Sequence, residues 1–491
     1  MQPSDQSRRS TLASGAPTAV SLAVVTGLSA VVGIVIAREF GLGPETDGFF
    51  AAYSVFLVLV LVGTAMRVAV LPPLARARAA GRFEQELGSY AAAIGVIALP
   101  ALALTLLASD WLAGQLTGGL PALSQETAAE TLRFVVPAAI AQVYAALAAS
   151  GLGAYDSYGV AAAAYAAGST AGIALILFLV GDQGIEAVSW GMLLNGGLTL
   201  AVTAWALSHR AAVRRLRALG LGRRLLELAR AVSLPLVLQG IFVVCLRFIS
   251  ELGTGAVTTF TYAYLIAASL VAVTASSLGL VSSVPLARGE LGDRRATEHV
   301  VRTSWIAFAA VAAAAGVFAL VGDRFVGAVL GPEYGGETGS ELGRLIALLG
   351  PWMAASIGVT ITFPLLFVAA RERMLPAVAV ATLALHVLVA WIAIEAWELD
   401  GAVVALTLTT LAILVALLAL FSMRLLTGAS RGLGLATLAT GGLAVLAFGA
   451  ADLVAGAVVA AIVGLALFAA LLVATRSFGL AEAWAYLRAL Q

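Results

Sequence analysis

Between residues 15 and 475 the chain passes through about fourteen apolar stretches, most of them close to the roughly 20 residues that carry a helix across a bilayer. They fall at 15–37, 47–71, 88–108, 131–152, 157–180, 184–207, 229–250, 256–285, 300–322, 343–369, 374–395, 401–424, 432–451 and 455–475. A backbone in hydrocarbon must satisfy its own N–H and C=O groups, so such stretches cross as helices. The expected fold is an all-α polytopic membrane protein. Composition agrees: 61% of the 491 residues are hydrophobic and 11% charged, against about 25% charged in a soluble domain.

Two function classes are disfavoured at once. A net charge of +1 offers no field for a polyanion, so no nucleic-acid partner is expected. The one cysteine, Cys245, allows no internal disulfide and no Cys-based metal cluster. It reads as a small buried hydrophobe.

The placement of arginine sets the sidedness. All 28 basic residues are Arg. With the N-terminus inside, Arg38, Arg133, Arg247, Arg324 and Arg344 fall at the outer side and Arg67 within a span; every other arginine lies on an inner connection. Outer loops carry acids instead, among them Asp110, Asp182, Glu186, Glu398 and Asp400. The alternation predicts a multi-pass protein of the cytoplasmic membrane with both termini cytoplasmic.

A basic stretch, "SHRAAVRRLRALGLGRRLLELAR" (208–230), divides the chain after six spans. The pattern then repeats. Arg38, a glycine-containing turn and "LPPLARARAAGR" (71–82) are echoed by Arg247, the turn "ELGTG" holding Glu251, and "VPLARGELGDRR" (284–295). The expected organisation is a tail (1–14), a six-helix lobe (15–207), a linker (208–228), a second lobe (229–424), and two further helices with a short tail (425–491). Parallel repeats of this kind are a transporter architecture, with the substrate site expected between the halves.

Polar side chains inside spans are the candidates for function. Arg67 either snorkels to the inner interface or lines a cavity. Arg38 and Arg247, at matched positions, are either interfacial anchors or a clamp for phosphate, which a guanidinium fork suits. Gln142, Asn195, Gln239 and His386 read as interhelical hydrogen bonders or cavity groups. Asp47 opens the second span, where a carboxylate caps a helix. Pro235 and Pro364 lie inside spans and are candidate bends. The glycine-rich run 151–172 reads as close helix packing. Walker, HExxH and GxSxG motifs are absent from the sequence, so hydrolysis has no candidate residues and no cofactor is expected.

The stretch "AREFGLGPETDGFFAA" (37–52) resembles the first-loop signature A-x-x-F-G-x-G-x-x-x-D-x-F-x-x-A of MurJ-type lipid II flippases. These are members of the multidrug/oligosaccharidyl-lipid/polysaccharide exporter (MOP) superfamily. Ala37, Phe40, Gly41, Gly43, Asp47, Phe49 and Ala52 match. The segment "VLGPEYGGETGSELGRLIALLGPW" (329–352) is similar to the corresponding loop of polysaccharide flippases. The arginine pairs that such flippases carry within their first two helices have no counterpart here before Arg38 or in "SVFLVLVLVG" (54–63).

The resemblance implies a flippase that moves a polyprenyl-pyrophosphate-linked glycan, lipid II-like or a polysaccharide repeat, to the outer leaflet by alternating access. Arg38, Arg67 and Arg247 would hold the diphosphate; Gln142, Asn195 and Gln239 would bond sugar hydroxyls. The last two helices would form a groove for the lipid tail. Expected partners are that substrate, membrane lipids and enzymes of cell-envelope biosynthesis, with the protein a monomer. A MATE-like multidrug or cation antiporter is the alternative.

Overall fold

The computed structural model describes residues 31–211, 220–276, 292–368, 371–454 and 456–475. The tail at 1–14, most of the first span, the middle of the linker and most of "VPLARGELGDRR" lie outside the described residues. The chain divides into two compact units. The first comprises Met1–Val243 with Gly253–Gly255; the second comprises Val244–Leu252 with Ala256–Gln491. The division therefore falls inside a helix, α7, and not in the basic linker.

The first unit holds the described end of α1 (31–40), α2 (Pro44–Ala79), α3 (Phe83–Thr117), α4 (Ala122–Ala154), α5 (Tyr158–Gln183), α6 (Glu186–Arg210) and most of α7 (Leu221–Ile249). Helix α4 is its centre, with residues 145–154 buried without a break. Those residues are mostly Ala, Gly and Ser, which let backbones approach where no hydrophobic force separates helix from lipid. A Cβ on Gly196 of α6 would stand 2.5 Å from the Ala138 carbonyl oxygen of α4. One on Gly172 of α5 would stand 2.6 Å from the Gly191 carbonyl oxygen of α6. The expectation of close packing over 151–172 is met at Gly168 and Gly172, both pressed against α6.

Helix α7 joins this unit through its N-terminal half. Leu228 is buried with Phe83, Tyr90, Leu152 and Leu207. Beside them Arg224 pairs with Glu86 and with Glu227 at 2.5 Å each, and the Tyr90 hydroxyl donates to Glu227 at 3.0 Å. That ionic knot is the physical reason the start of α7 stays with the first unit.

The second unit holds the end of α7, α8 (Ala256–Val271), α9 (Asp293–Leu330), α10 (Gly336–Leu348), α11 (Gly350–Val368), α12 (Leu375–Phe421), α13 (Met423–Asp452) and α14 (Ala457–Ala474). Eleven of the described helices are long and apolar enough to cross a membrane, or twelve with the bent pair at Gly336–Leu348 and Gly350–Leu366 as one. Helix α12 has 47 residues, about 70 Å of rise, more than twice the thickness of hydrocarbon. It is two spans: Trp397 and Glu398 leave helical geometry, Glu398 at φ 51°. Gly401 lies so close to Ala393 that a side chain would not fit. The turn sits between the two stretches expected at 374–395 and 401–424.

Several helices run past the apolar stretches read from the sequence, α3, α4, α9 and α13 among them. Helix α2 runs through Pro72 and Pro73 to Ala79 rather than ending near residue 71. Arg78 fixes that extension by donating to the Ala154 carbonyl at 2.5 Å. Pro364 lies inside α11 as expected, but the 43° break of this region falls at the junction after Leu348.

Polar pairs tie neighbouring helix ends together. Arg78 meets Asp156 at 3.5 Å, both expected inside; Arg133 meets Asp110 at 3.6 Å and Arg344 meets Asp400 at 2.6 Å, all expected outside. Arg371 donates to the carbonyls of Leu420 and Phe421, again on the inner side of the scheme.

Candidate transport site

The signature loop comes first because it fixes how α2 starts. Gly41 has φ 58°, the left-handed turn that suits glycine. Gly43 is the N-cap in extended geometry, and Pro44 takes the first helical position, where its missing N–H costs nothing. Asp47 is therefore not the cap. It lies one turn inside α2, fully buried, and its Oδ2 accepts the Gly255 backbone N–H at 2.5 Å. Gly48 faces the Ser124 backbone of α4 with no room for a side chain, and the Ser124 hydroxyl donates to the Pro44 carbonyl at 2.7 Å. Phe49, Phe50 and Ala52 are buried. The matched positions thus carry turn, packing and a buried hydrogen bond.

Within the first unit the structure joins two of the candidates. Gln142 of α4 donates its side-chain amide to Asn195 Oδ1 of α6 at 3.3 Å. Thr199 donates to the Asn195 carbonyl at 2.7 Å. Both amides are half-buried. Arg67 of α2 is half-buried with its guanidinium 5.5 Å from the centre of the Tyr165 ring of α5, a cation–π contact. Gln239 is buried on α7, four residues beyond Pro235, which lies inside that helix as expected. Arg38 is exposed near the end of α1.

In the second unit Arg247 pairs with Glu251 at 2.6 Å, one helical turn apart. Both groups are about half exposed, so the pair competes with water and holds the arginine loosely.

Two features of this unit escaped the sequence reading in whole or part. His386 is fully buried, as its apolar setting suggested, and bridges two helices. Its Nδ1 lies 2.8 Å from Thr409 Oγ1 and its Nε2 lies 3.4 Å from Cys245 Sγ. The cysteine is thus a partner of the histidine as well as a small apolar residue. The second feature is a groove. Helices α9, α11 and α13 enclose an apolar cavity of about 520 Å³ lined by Phe308, Ala315, Pro351, Ala444, Val445 and Phe448 among others. It lies on the face where small residues recur at helical spacing, Ala312, Ala315, Gly316 and Ala319 on α9 and Gly441, Ala444 and Gly449 on α13. That spacing is the signal that would have located it. Among the described residues no cluster of His, Cys, Asp and Glu is fit to hold a metal ion.

No family model and no curated protein matches the chain in sequence. Solved structures do match in fold. The lipid II flippase MurJ, in an inward closed conformation, aligns with TM-score 0.71 at 14% identity over 92% of this chain and 96% of that one. An inward-facing multidrug resistance MATE family transporter aligns with TM-score 0.63 at 16% identity, over 84% of this chain and 98% of its own. A Vibrio cholerae MATE transporter gives TM-score 0.56 at 16% identity, over 84% and 95%. The chain shares the all-α fold of these solved structures. Of these three neighbours one is a lipid II flippase and two are MATE transporters.

Proposed function

We propose that the protein is a flippase for a polyprenyl-diphosphate-linked glycan in the cytoplasmic membrane. The observation that carries this reading is the apolar groove bounded by α9, α11 and α13. Apart from Thr437, Thr440 and Asp452 its lining is apolar, and such a groove fits an isoprenoid chain. Its wall uses α13, one of the two helices that follow the two six-span lobes. The flippase likeness also extends over 92% of the chain, against 84% for the MATE transporter.

In this reading Arg38, Arg67 and Arg247 take the diphosphate in charge-assisted hydrogen bonds. Arg247 does so by exchanging its loose contact with Glu251. Gln142, Asn195 and Gln239 present amide donors and acceptors to sugar hydroxyls. Alternating access then exposes the bound headgroup to one side or the other. The test is genetic: the gene should rescue depletion of a lipid II flippase or loss of a polysaccharide flippase, and which of the two it rescues identifies the glycan. Rescue of neither, with normal expression and membrane insertion, contradicts the reading.

A second reading, a multidrug or cation antiporter, draws on the MATE likeness and on His386. An imidazole buried between Cys245 and Thr409 is the group such a protein would titrate to couple efflux to protons. Drug resistance in a sensitive host that collapses with the proton gradient and in His386→Gln would favour it.

A further inference from the structure

We propose that the arginine-lined cleft between the first turns of α9 and α13 is a binding site for an anionic phospholipid, gripped by its phosphate. The cleft has a volume of about 720 Å³ and lies wholly within the second unit. Arg294 and Arg302 reach it from α9 and Arg424 from α13. Arg302 is held by Glu298 at 2.8 Å. Arg294 and Arg424 are exposed and make no ion pair among the described residues. Asp293 and Glu298 also line the mouth. Glu298 is committed to Arg302, and Asp293 sits in the first turn of α9, where the helix end favours negative charge. Two guanidinium groups are left to face an anion.

The depth of the cleft argues for a lipid. From Arg294 to Trp305 is about 16 Å along the helix, the thickness of one leaflet of a roughly 30 Å hydrocarbon core. Over that distance the lining passes from Arg294 and Arg424 through the neutralised Glu298–Arg302 pair to Val301, Leu435 and the buried Trp305. The floor is thin because α13 presents glycine there: a Cβ on Gly432 would stand 2.6 Å from Val301 Cγ2. The result is a trough with a cationic lip and an apolar bed, the shape of one headgroup and one acyl chain. Basic pockets between membrane helices on the cytoplasmic side bind anionic headgroups in this way, and the arginine pattern predicts that this end lies inside. The proposal does not depend on the cargo, since a resident lipid serves a flippase and an antiporter alike.

The experiment uses the full-length protein in detergent and native mass spectrometry, titrated separately with phosphatidylglycerol, phosphatidylcholine and inorganic phosphate. Phosphatidylglycerol should be retained at least tenfold better than phosphatidylcholine. Arg294→Gln/Arg424→Gln should lose that preference, while Arg431→Gln, an exposed arginine of α13 outside the cleft, should keep it. If the double variant is poorly folded, Arg424→Gln alone should lower retention at least threefold. Equal retention by variant and wild type, no preference between the lipids, or saturable binding of inorganic phosphate without a lipid tail would each overturn the proposal. Lipid retention is read on the protein itself, so it stands or falls independently of the rescue experiments.

Discussion

The carboxylate of Asp47 accepts the backbone N–H of Gly255 at 2.5 Å, across 208 positions of sequence. The acid of the signature loop in the first half is thereby bonded to the glycine turn at the repeated position of the second half. Gly253 and Gly255 have φ of 111° and 87°, backbone that only glycine adopts easily. The turn depends on its glycines, and its N–H depends on a buried acceptor.

Replacing that acceptor should therefore destabilise the fold. Asp47→Asn is expected to cost about 2 kcal/mol, the scale of a buried hydrogen bond to a charged group, and Asp47→Ala somewhat more. Thermal unfolding in detergent checks it. An unchanged midpoint for both variants would show that the Gly255 contact contributes nothing.

Close backbone approach makes a second prediction with a built-in control. Gly168→Ala puts a methyl against Thr199 and Asn195, whereas the neighbouring case of Gly197→Ala meets nothing within 4 Å. The first should lower stability by about 2 kcal/mol through overpacking. The second should leave it unchanged or slightly raised. Matching unfolding curves for the two would refute the packing described for α5 and α6.

The ionic knot at the start of α7 separates a half-buried charge from an exposed one. Arg224 has a side chain 14% exposed and two carboxylate partners, whereas Arg223 is 77% exposed. Arg224→Ala should cost about 3 kcal/mol because Glu86 loses its partner in place and Glu227 keeps only the exposed Arg223. Arg223→Ala should stay within about 0.5 kcal/mol. Guanidinium-free denaturation in urea, with detergent held constant, measures both.

Most of the fold was legible in the sequence, for a simple physical reason. A bilayer forces every apolar run of span length into a helix, and arginine marks the side of each turn. The pairs Arg344–Asp400 and Arg78–Asp156 join residues at the ends of such runs. What the sequence did not reveal is what depends on facing. Asp47 reads as a cap from its place before an apolar run, but Gly43 and Pro44 begin the helix earlier and move the acid inward. Cys245 reads as an inert apolar residue until α12 turns at Trp397 and brings His386 and the Ala402 carbonyl beside it. The candidate amides were recognised as polar groups in spans, but only the crossing of α4 with α6 joins Gln142 to Asn195.

That joining makes the role of the amides testable. Gln142→Leu removes one interhelical hydrogen bond, worth about 0.6 kcal/mol on average in membrane proteins. If the pair also holds sugar hydroxyls, transport should fall tenfold or more in a variant that remains folded. A fall no larger than the loss of folded protein would assign Gln142 and Asn195 to packing alone.

The most direct measurement of the central claim is leaflet exchange in vesicles. Purified full-length protein is reconstituted with a fluorescent polyprenyl-diphosphate glycan, and the fraction of label reached by a membrane-impermeant quencher is followed in time. Wild type should equilibrate the label between leaflets. Arg38→Ala/Arg247→Ala, which removes two of the proposed diphosphate ligands, and Ala444→Trp, which fills the α9–α13 groove, should both slow it at least tenfold. Exchange no faster than in empty vesicles, or exchange unaffected by either variant, would contradict the account.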